Sequence, residues 1–159
     1  MYLCLDQASK HTAYTVSREN GELARYGIIA HEEKDSEQRL FLMVQDIKKI
    51  IKKEKPTLVV FEDIQLQQKN VIVYKCLARL QGMIIYTLKE MDVNYVCVPP
   101  ATWKSHVGIV KGKRDEQKRL SIIKAEETYG ISVDGNDDLA DVLNINTYAR
   151  DIILKGNKK

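Results

Sequence analysis

The chain has 159 residues, 44% hydrophobic and 30% charged, with a formal net charge of +3. That length and balance fit one soluble domain with its own core; no apolar run long enough to span a bilayer and no basic-then-apolar leader stand out, so a cytoplasmic protein is expected. Cys4, Cys76 and Cys97 are far apart and lack metal-ligand spacing, which argues against structural zinc and for buried reduced thiols.

Three short strands open the chain. Tyr2–Asp6 is an apolar run with a carboxylate at its tip, followed by the polar turn Gln7-Ala8-Ser9-Lys10. Thr12–Ser17 is rich in strand formers, and Asn20-Gly21 marks a turn before the third strand, Glu22–Ile29. Such short connections make the three antiparallel neighbours. From Ser36 to Lys53 the period changes: Leu40, Met43, Val44, Ile47, Ile50 and Ile51 recur at helical spacing. Lys48, Lys49, Lys52 and Lys53 on its polar side suit the negative end of a helix dipole, so they carry little functional weight.

Pro56 stops that helix. The run Thr57–Phe61 ends on Glu62 and is apolar on both faces, as in a central strand covered by helices. After the polar connection 63–70, the longest helix is expected over Val71–Met91. Its apolar stripe is wider than one core face needs, and the surplus points either to deep burial or, more sharply, to a helix-mediated homodimer. Asn94–Val98 is a fifth strand, closed by Pro99-Pro100, and a flexible stretch is expected around Gly108 and Gly112. A helix follows over Arg114–Tyr129 with Gly130 as its cap. Asp134-Gly135-Asn136 is a turn, and Asp138–Leu154 is the last helix. The division is one domain over residues 1–154 and a basic, loose tail over 155–159.

Four acids stand at informative places. Asp6 and Glu62 each end a buried-type strand, and sites in open α/β sheets gather beyond the carboxyl ends of strands. Asp138 and Asp141 are three apart at a helix start and share a face, with Asp137 available as the cap. Each alone has an ordinary explanation as a turn or dipole residue. Crowded together they would repel, and a cluster of that kind is tolerable when divalent cations neutralise it. Oxygen-only ligands favour Mg²⁺ or Mn²⁺. Nearby basic residues, Lys104, Lys111, Lys113, Arg114, Lys118 and Arg119, suit a polyanionic substrate.

The element order resembles the α/β ribonuclease H-like fold: a five-stranded mixed sheet, three antiparallel strands then two parallel, flanked by helices. Within it the chain is similar to RuvC-type Holliday junction resolvases, in a phage-like branch. The resemblance rests on Tyr2–Asp6, Leu58–Glu62, Leu80-Gln81-Gly82, Thr102–Gly108 and Asp138-Leu139-Ala140-Asp141-Val142-Leu143, and it runs through nearly the whole chain. It implies that Asp6, Glu62, Asp138 and Asp141 bind two metal ions. It matches Lys104 to the first basic site residue; the second falls on Lys111, Lys113 or Arg114, with Lys113 preferred. It also implies a homodimer that nicks four-way DNA in pairs, leaving 5′-phosphates. Two features depart from the family. The glycines flanking the first acid are missing around Asp6, and Gln65 stands where an aromatic residue usually follows the strand-four Glu. The rival readings are a ribonuclease H-like enzyme acting on RNA or RNA–DNA hybrid and a non-catalytic branched-DNA binder. A nucleotide-binding ATPase lacks its glycine-rich phosphate loop here.

Overall fold

The computed structural model describes residues 1–66, 70–110, 112–154 and 156. Lys111, the Ile153 side chain and most of the tail over 155–159 therefore lie outside the described part. Five strands form one sheet: β1 (Tyr2–Asp6), β2 (His11–Ser17), β3 (Leu23–Ala30), β4 (Leu58–Glu62) and β5 (Asn94–Val98). Their order is β3-β2-β1-β4-β5. β1 is central, antiparallel to β2 and parallel to β4, while β5 runs parallel to β4. The expected mixed sheet is present, with strand ends shifted by one residue in β2 and β3.

Alternation along the strands sorts the core into two layers. Leu3, Leu5, Val59 and Phe61 face α1 (Ser36–Glu54) and α2 (Val71–Glu90), meeting Met43, Ile47, Leu80, Ile84 and Leu88. Tyr2, Cys4 and Val60 face the opposite way, towards Trp103, Val142 and Ile145. That second layer is built from α3 (Pro100–His106), α4 (Arg114–Tyr129) and α5 (Asp137–Tyr148), which a π-helical turn over Ala149–Leu154 extends. By parity, Asp6 and Glu62 belong to the α3–α5 side and Gln7 to the α2 side.

Local chemistry sets the helix ends. Asp35 caps α1, accepting from the Gln38 N–H at 2.7 Å, and Lys55 closes it in a left-handed conformation with φ 47°. Asn136, not Asp137, caps α5: its side chain accepts from the Leu139 N–H at 2.9 Å. Asp137 instead pairs with Lys118 at 2.6 Å. α3 falls between the fifth strand and the flexible stretch expected around Gly108 and Gly112, where the sequence predicts no element. Pro100 opens it, and a proline in a first turn loses nothing, because its missing N–H would have had no helical partner.

By length and composition alone, α2 passes as a bilayer span, contrary to the sequence expectation. In the fold one side of it packs on the sheet and α1 through Leu80, Ile84 and Leu88, with Gln81 and Thr87 also buried. The stripe divides: those residues fill the core, while Ile72 (83% exposed) and Tyr86 (69%) face outward with Val71 and Val73. Of the three thiols Cys4 is buried and Cys76 and Cys97 are partly so, and all three are free.

A buried polar cluster pins α5 to the sheet. The Asn146 Oδ1 accepts from Ser17 Oγ at 3.0 Å and Thr15 Oγ1 at 3.1 Å, and its Nδ2 donates to the Tyr129 hydroxyl at 2.8 Å. This docking carries the first turn of α5 to the carboxyl ends of β1 and β4.

Candidate metal centre

The register that pairs Leu5 with Phe61 brings Asp6 and Glu62 to the same end of adjacent parallel strands. Neighbouring strands lie roughly 4.8 Å apart, so backbone hydrogen bonding fixes this spacing. Across from them, a cleft of about 430 Å³ is lined by Glu62, Asp138, Asp141, Lys104, Arg114 and Lys118, among others. Asp6 is not on that lining, yet it feels the same charges. Burial, then Glu62, Asp141 and Asp138, push its carboxyl well above the usual carboxylate range. The four acids chosen from sequence are therefore electrostatic neighbours.

Burial raises each of these carboxylates, and acidic neighbours add to the rise. Burial pushes Glu62 up to about 7; the Trp103 hydrogen bond and Lys104 oppose the rise, and Asp141 adds to it. Asp141 is raised by burial, against a hydrogen bond from Ser121 and the charge of Lys104. Asp138 is raised by burial and by Asp137. Asp137 goes the other way, because Lys118 bonds to it. It is the acid already neutralised within the chain.

Two residues that sequence reasoning left unassigned hold these acids. The Trp103 indole N–H donates to Glu62 Oε2 at 2.6 Å from a fully buried position, and Lys104 Nζ lies 5.3 Å from the same ring. Ser121 Oγ donates to Asp141 Oδ1. Asn144 in turn donates from Nδ2 to Ser121 Oγ and to its carbonyl, both at 2.9 Å. A lone tryptophan immediately before Lys104 was the available signal for the first; nothing in the sequence marks Ser121.

Among the described residues, no three His, Cys, Asp or Glu side chains converge tightly enough to hold a metal ion as they stand. The donor set nevertheless fits a hard divalent cation. It is all carboxylate, and one oxygen each of Glu62 and Asp141 is held by a neighbour while the other has no hydrogen-bond partner among the described residues.

The basic candidates separate. Lys104 lines the cleft and offsets the charge of Asp6, Glu62 and Asp141. Arg114 lines it too. Lys113 sits at the N-cap of α4, exposed and outside the cleft lining, while Lys111 lies outside the described residues. Gln65, in place of the aromatic residue, is exposed and lines a second pocket together with Gln7, Glu62 and Lys104.

Comparison with known proteins gives a consistent frame. The model of a family described as Lactococcus phage M3 protein matches residues 3–151. No curated protein matches in sequence. Among solved structures, Thermus thermophilus RuvC in complex with a Holliday junction substrate superposes with a TM-score of 0.72 at 16% identity, covering 93% of each chain. The yeast mitochondrial Holliday junction resolvase Ydc2 gives 0.62 at 14% identity, over 99% of this chain and 80% of that one. The Fowlpox virus resolvase, bound to Holliday junction DNA, gives 0.55 at 13% identity over 99% of both.

Proposed function

As the chain belongs to the Lactococcus phage M3 protein family and has a RuvC-like fold, we propose that it is a metal-dependent, structure-selective endonuclease that resolves four-way and other branched DNA. It would act as a homodimer in the host cytoplasm and leave 5′-phosphates. The observation that carries this reading is the meeting of Asp6, Glu62, Asp138 and Asp141, from two strands and a late helix, in one electrostatically coupled group.

These four side chains would hold a pair of Mg²⁺ or Mn²⁺ ions. Such ions, when bound, supply Lewis acidity for the attacking water and the departing 3′ oxygen. The rest is the chain's own work. β1 and β4 fix the spacing of Asp6 and Glu62. Trp103 and Ser121 each restrain one carboxylate oxygen and leave the other for a cation. Lys104, on the cleft wall, would bind a nonbridging phosphate oxygen and stabilise charge developing there. Lys113 or Arg114 at the start of α4 would hold the backbone beyond it. Selection of the junction would come from shape and phosphate contacts more than from base identity.

The homodimer would form through α2, which exposes Val71, Ile72 and Val73 around its first turn and Tyr86 further along. A two-fold pair of sites matches the paired strands cut at a four-way junction.

The test compares the chain with Asp6→Asn on matched four-way, forked, linear duplex and RNA–DNA hybrid substrates with Mg²⁺. Junction and fork cutting that Asp6→Asn abolishes supports the proposal. Cutting of the hybrid alone favours the ribonuclease reading, and junction binding without any cutting makes the chain a binder. Cutting by Asp6→Asn at the unchanged rate sinks the site.

A further inference from the structure

A groove of about 660 Å³ lies between α1 and α2, and none of the four acids lines it. Leu40 and Val44 of α1 give it an apolar wall. From α2 it takes Arg79, Gly82, Met83, Tyr86, Thr87 and Glu90. Tyr86 lines it while remaining largely exposed.

Gly82 has no use inside the chain. It sits within a 20-residue helix, where glycine is destabilising relative to alanine. Its φ is not left-handed, and a side chain at this position would meet nothing within 4 Å among the described residues beyond its own helix. Neither backbone conformation nor internal packing calls for glycine there. A bare stretch of helix beside an apolar groove suits close approach by another backbone from outside.

The charges say which backbone. At one end of the groove Arg79 meets Glu37 at 3.9 Å; at the other Lys48 meets Glu90 at 2.5 Å. A contact between two copies must complement itself. Reflected about the midpoint of Ile84 and Ile85, Arg79 falls on Glu90, Gly82 on Thr87 and Met83 on Tyr86. Any helix face has this mirror spacing; the occupants are what matter. Opposite charges meet at both ends, a thioether meets an aromatic ring, and the two smallest residues of the row meet each other. Parallel pairing would instead set arginine on arginine and glutamate on glutamate.

Resting on the homodimer of the endonuclease reading above, we propose that two copies pack α2 against α2 in antiparallel, about a two-fold axis between Ile84 and Ile85, with Tyr86 of each seated in the other's groove. Each end of the contact then carries an alternating row: Glu37, Arg79, the partner's Glu90 and the partner's Lys48. The Val71–Val73 turn lies away from the axis and is peripheral to this contact.

The experiment is sedimentation equilibrium across the micromolar range, without DNA or metal. Wild type should be a dimer. Arg79→Glu and Glu90→Arg alone should each weaken it about tenfold or more, because like charges then meet at both ends. The double variant should recover most of the loss. Positions 79 and 90 lie three helical turns apart, so the recovery comes from across the contact; the exposed pairs with Glu37 and Lys48, broken in all three variants, contribute little. Gly82→Leu, which has room within its own chain, should be monomeric with an unchanged circular dichroism spectrum. It decides the matter should the charge variants misfold. A monomeric wild type overturns the proposal. So does a dimer indifferent to Gly82→Leu, or folded charge variants that the double reversal does not rescue. Junction cleavage is scored separately: a dimer that behaves as described but cuts nothing keeps the contact and removes the endonuclease reading, whereas a monomer that cuts junctions does the reverse.

Discussion

Trp103 and Ser121 do for Glu62 and Asp141 what backbone geometry does for Asp6: they limit where a carboxylate oxygen can go. A neighbour that orients a metal ligand typically contributes about 10–100-fold in metal affinity or activity. Trp103→Phe keeps most of the buried ring and removes only the N–H, so Mg²⁺ affinity measured by calorimetry should fall by about tenfold while the fold persists. Ser121→Ala should act in the same direction, while Asn144 keeps its hydrogen bond to the residue-121 carbonyl. Asp6→Asn removes a charge from the group itself; cleavage should drop by roughly 10³-fold or more in single-turnover assays, with junction binding retained. At this scale the sequence was legible for the acids and opaque for their supports. Asp6 and Glu62 stood out because an apolar run ended on each. Ser121 lies mid-helix, and only the docking of α4 on α5 gives it a partner. Gln7 read as turn material, because its amide finds Gln81 only across the sheet.

Among the elements, α5 depends on the polar contacts of Asn146 as much as on its apolar face. Replacing Asn146 by Ala would leave the Ser17 and Thr15 hydroxyls and the Tyr129 hydroxyl without their shared partner. We expect a loss of about 2–4 kcal/mol by urea denaturation, and impaired cleavage as α5 loosens. The strands and long helices were readable from periodicity. α3 was not, since seven residues opened by Pro100 are too few to show a period, and the helix packs Trp103 into the core between the sheet and α5. The α5 cap was misassigned to Asp137 because Asn and Asp serve equally well there, and the choice was made by Lys118, which takes Asp137 away. On α2, the sequence predicted surplus apolar surface, and the structure confines it to Val71–Val73 and Tyr86. Introducing Ile72→Glu with Tyr86→Glu should leave a monomer in sedimentation equilibrium, and paired nicking should give way to single nicks.

For the molecule as a whole, the acid group makes stability depend on pH and, on the proposed function, on divalent cations. Glu62 has an ordinary value of 4.5 and rises to about 7 in the folded chain, so between those values the folded state holds the extra proton. Stability from this group is full below 4.5 and is lost as pH climbs through about 7. Asp6, Asp138 and Asp141 shift in the same direction. Metal-free protein should therefore melt at a lower temperature at pH 8 than at pH 5.5. Mg²⁺ should reverse the loss at pH 8 and have little effect at pH 5.5. At a hundred times its dissociation constant, a ligand that binds only the folded state adds about 2.7 kcal/mol. Scanning calorimetry at the two pH values, with EDTA or Mg²⁺, checks both signs.

The contact between Cys4 and Asn146 spans 142 residues of chain, and the last two acids arrive on the same helix as Asn146. During synthesis β1 is made well before α5, so the acids of β1 and β4 wait for the helix that brings Asp138 and Asp141. On the proposed function, a chain that has reached only β5 carries two of the four acids and is expected to be inert until α5 has docked.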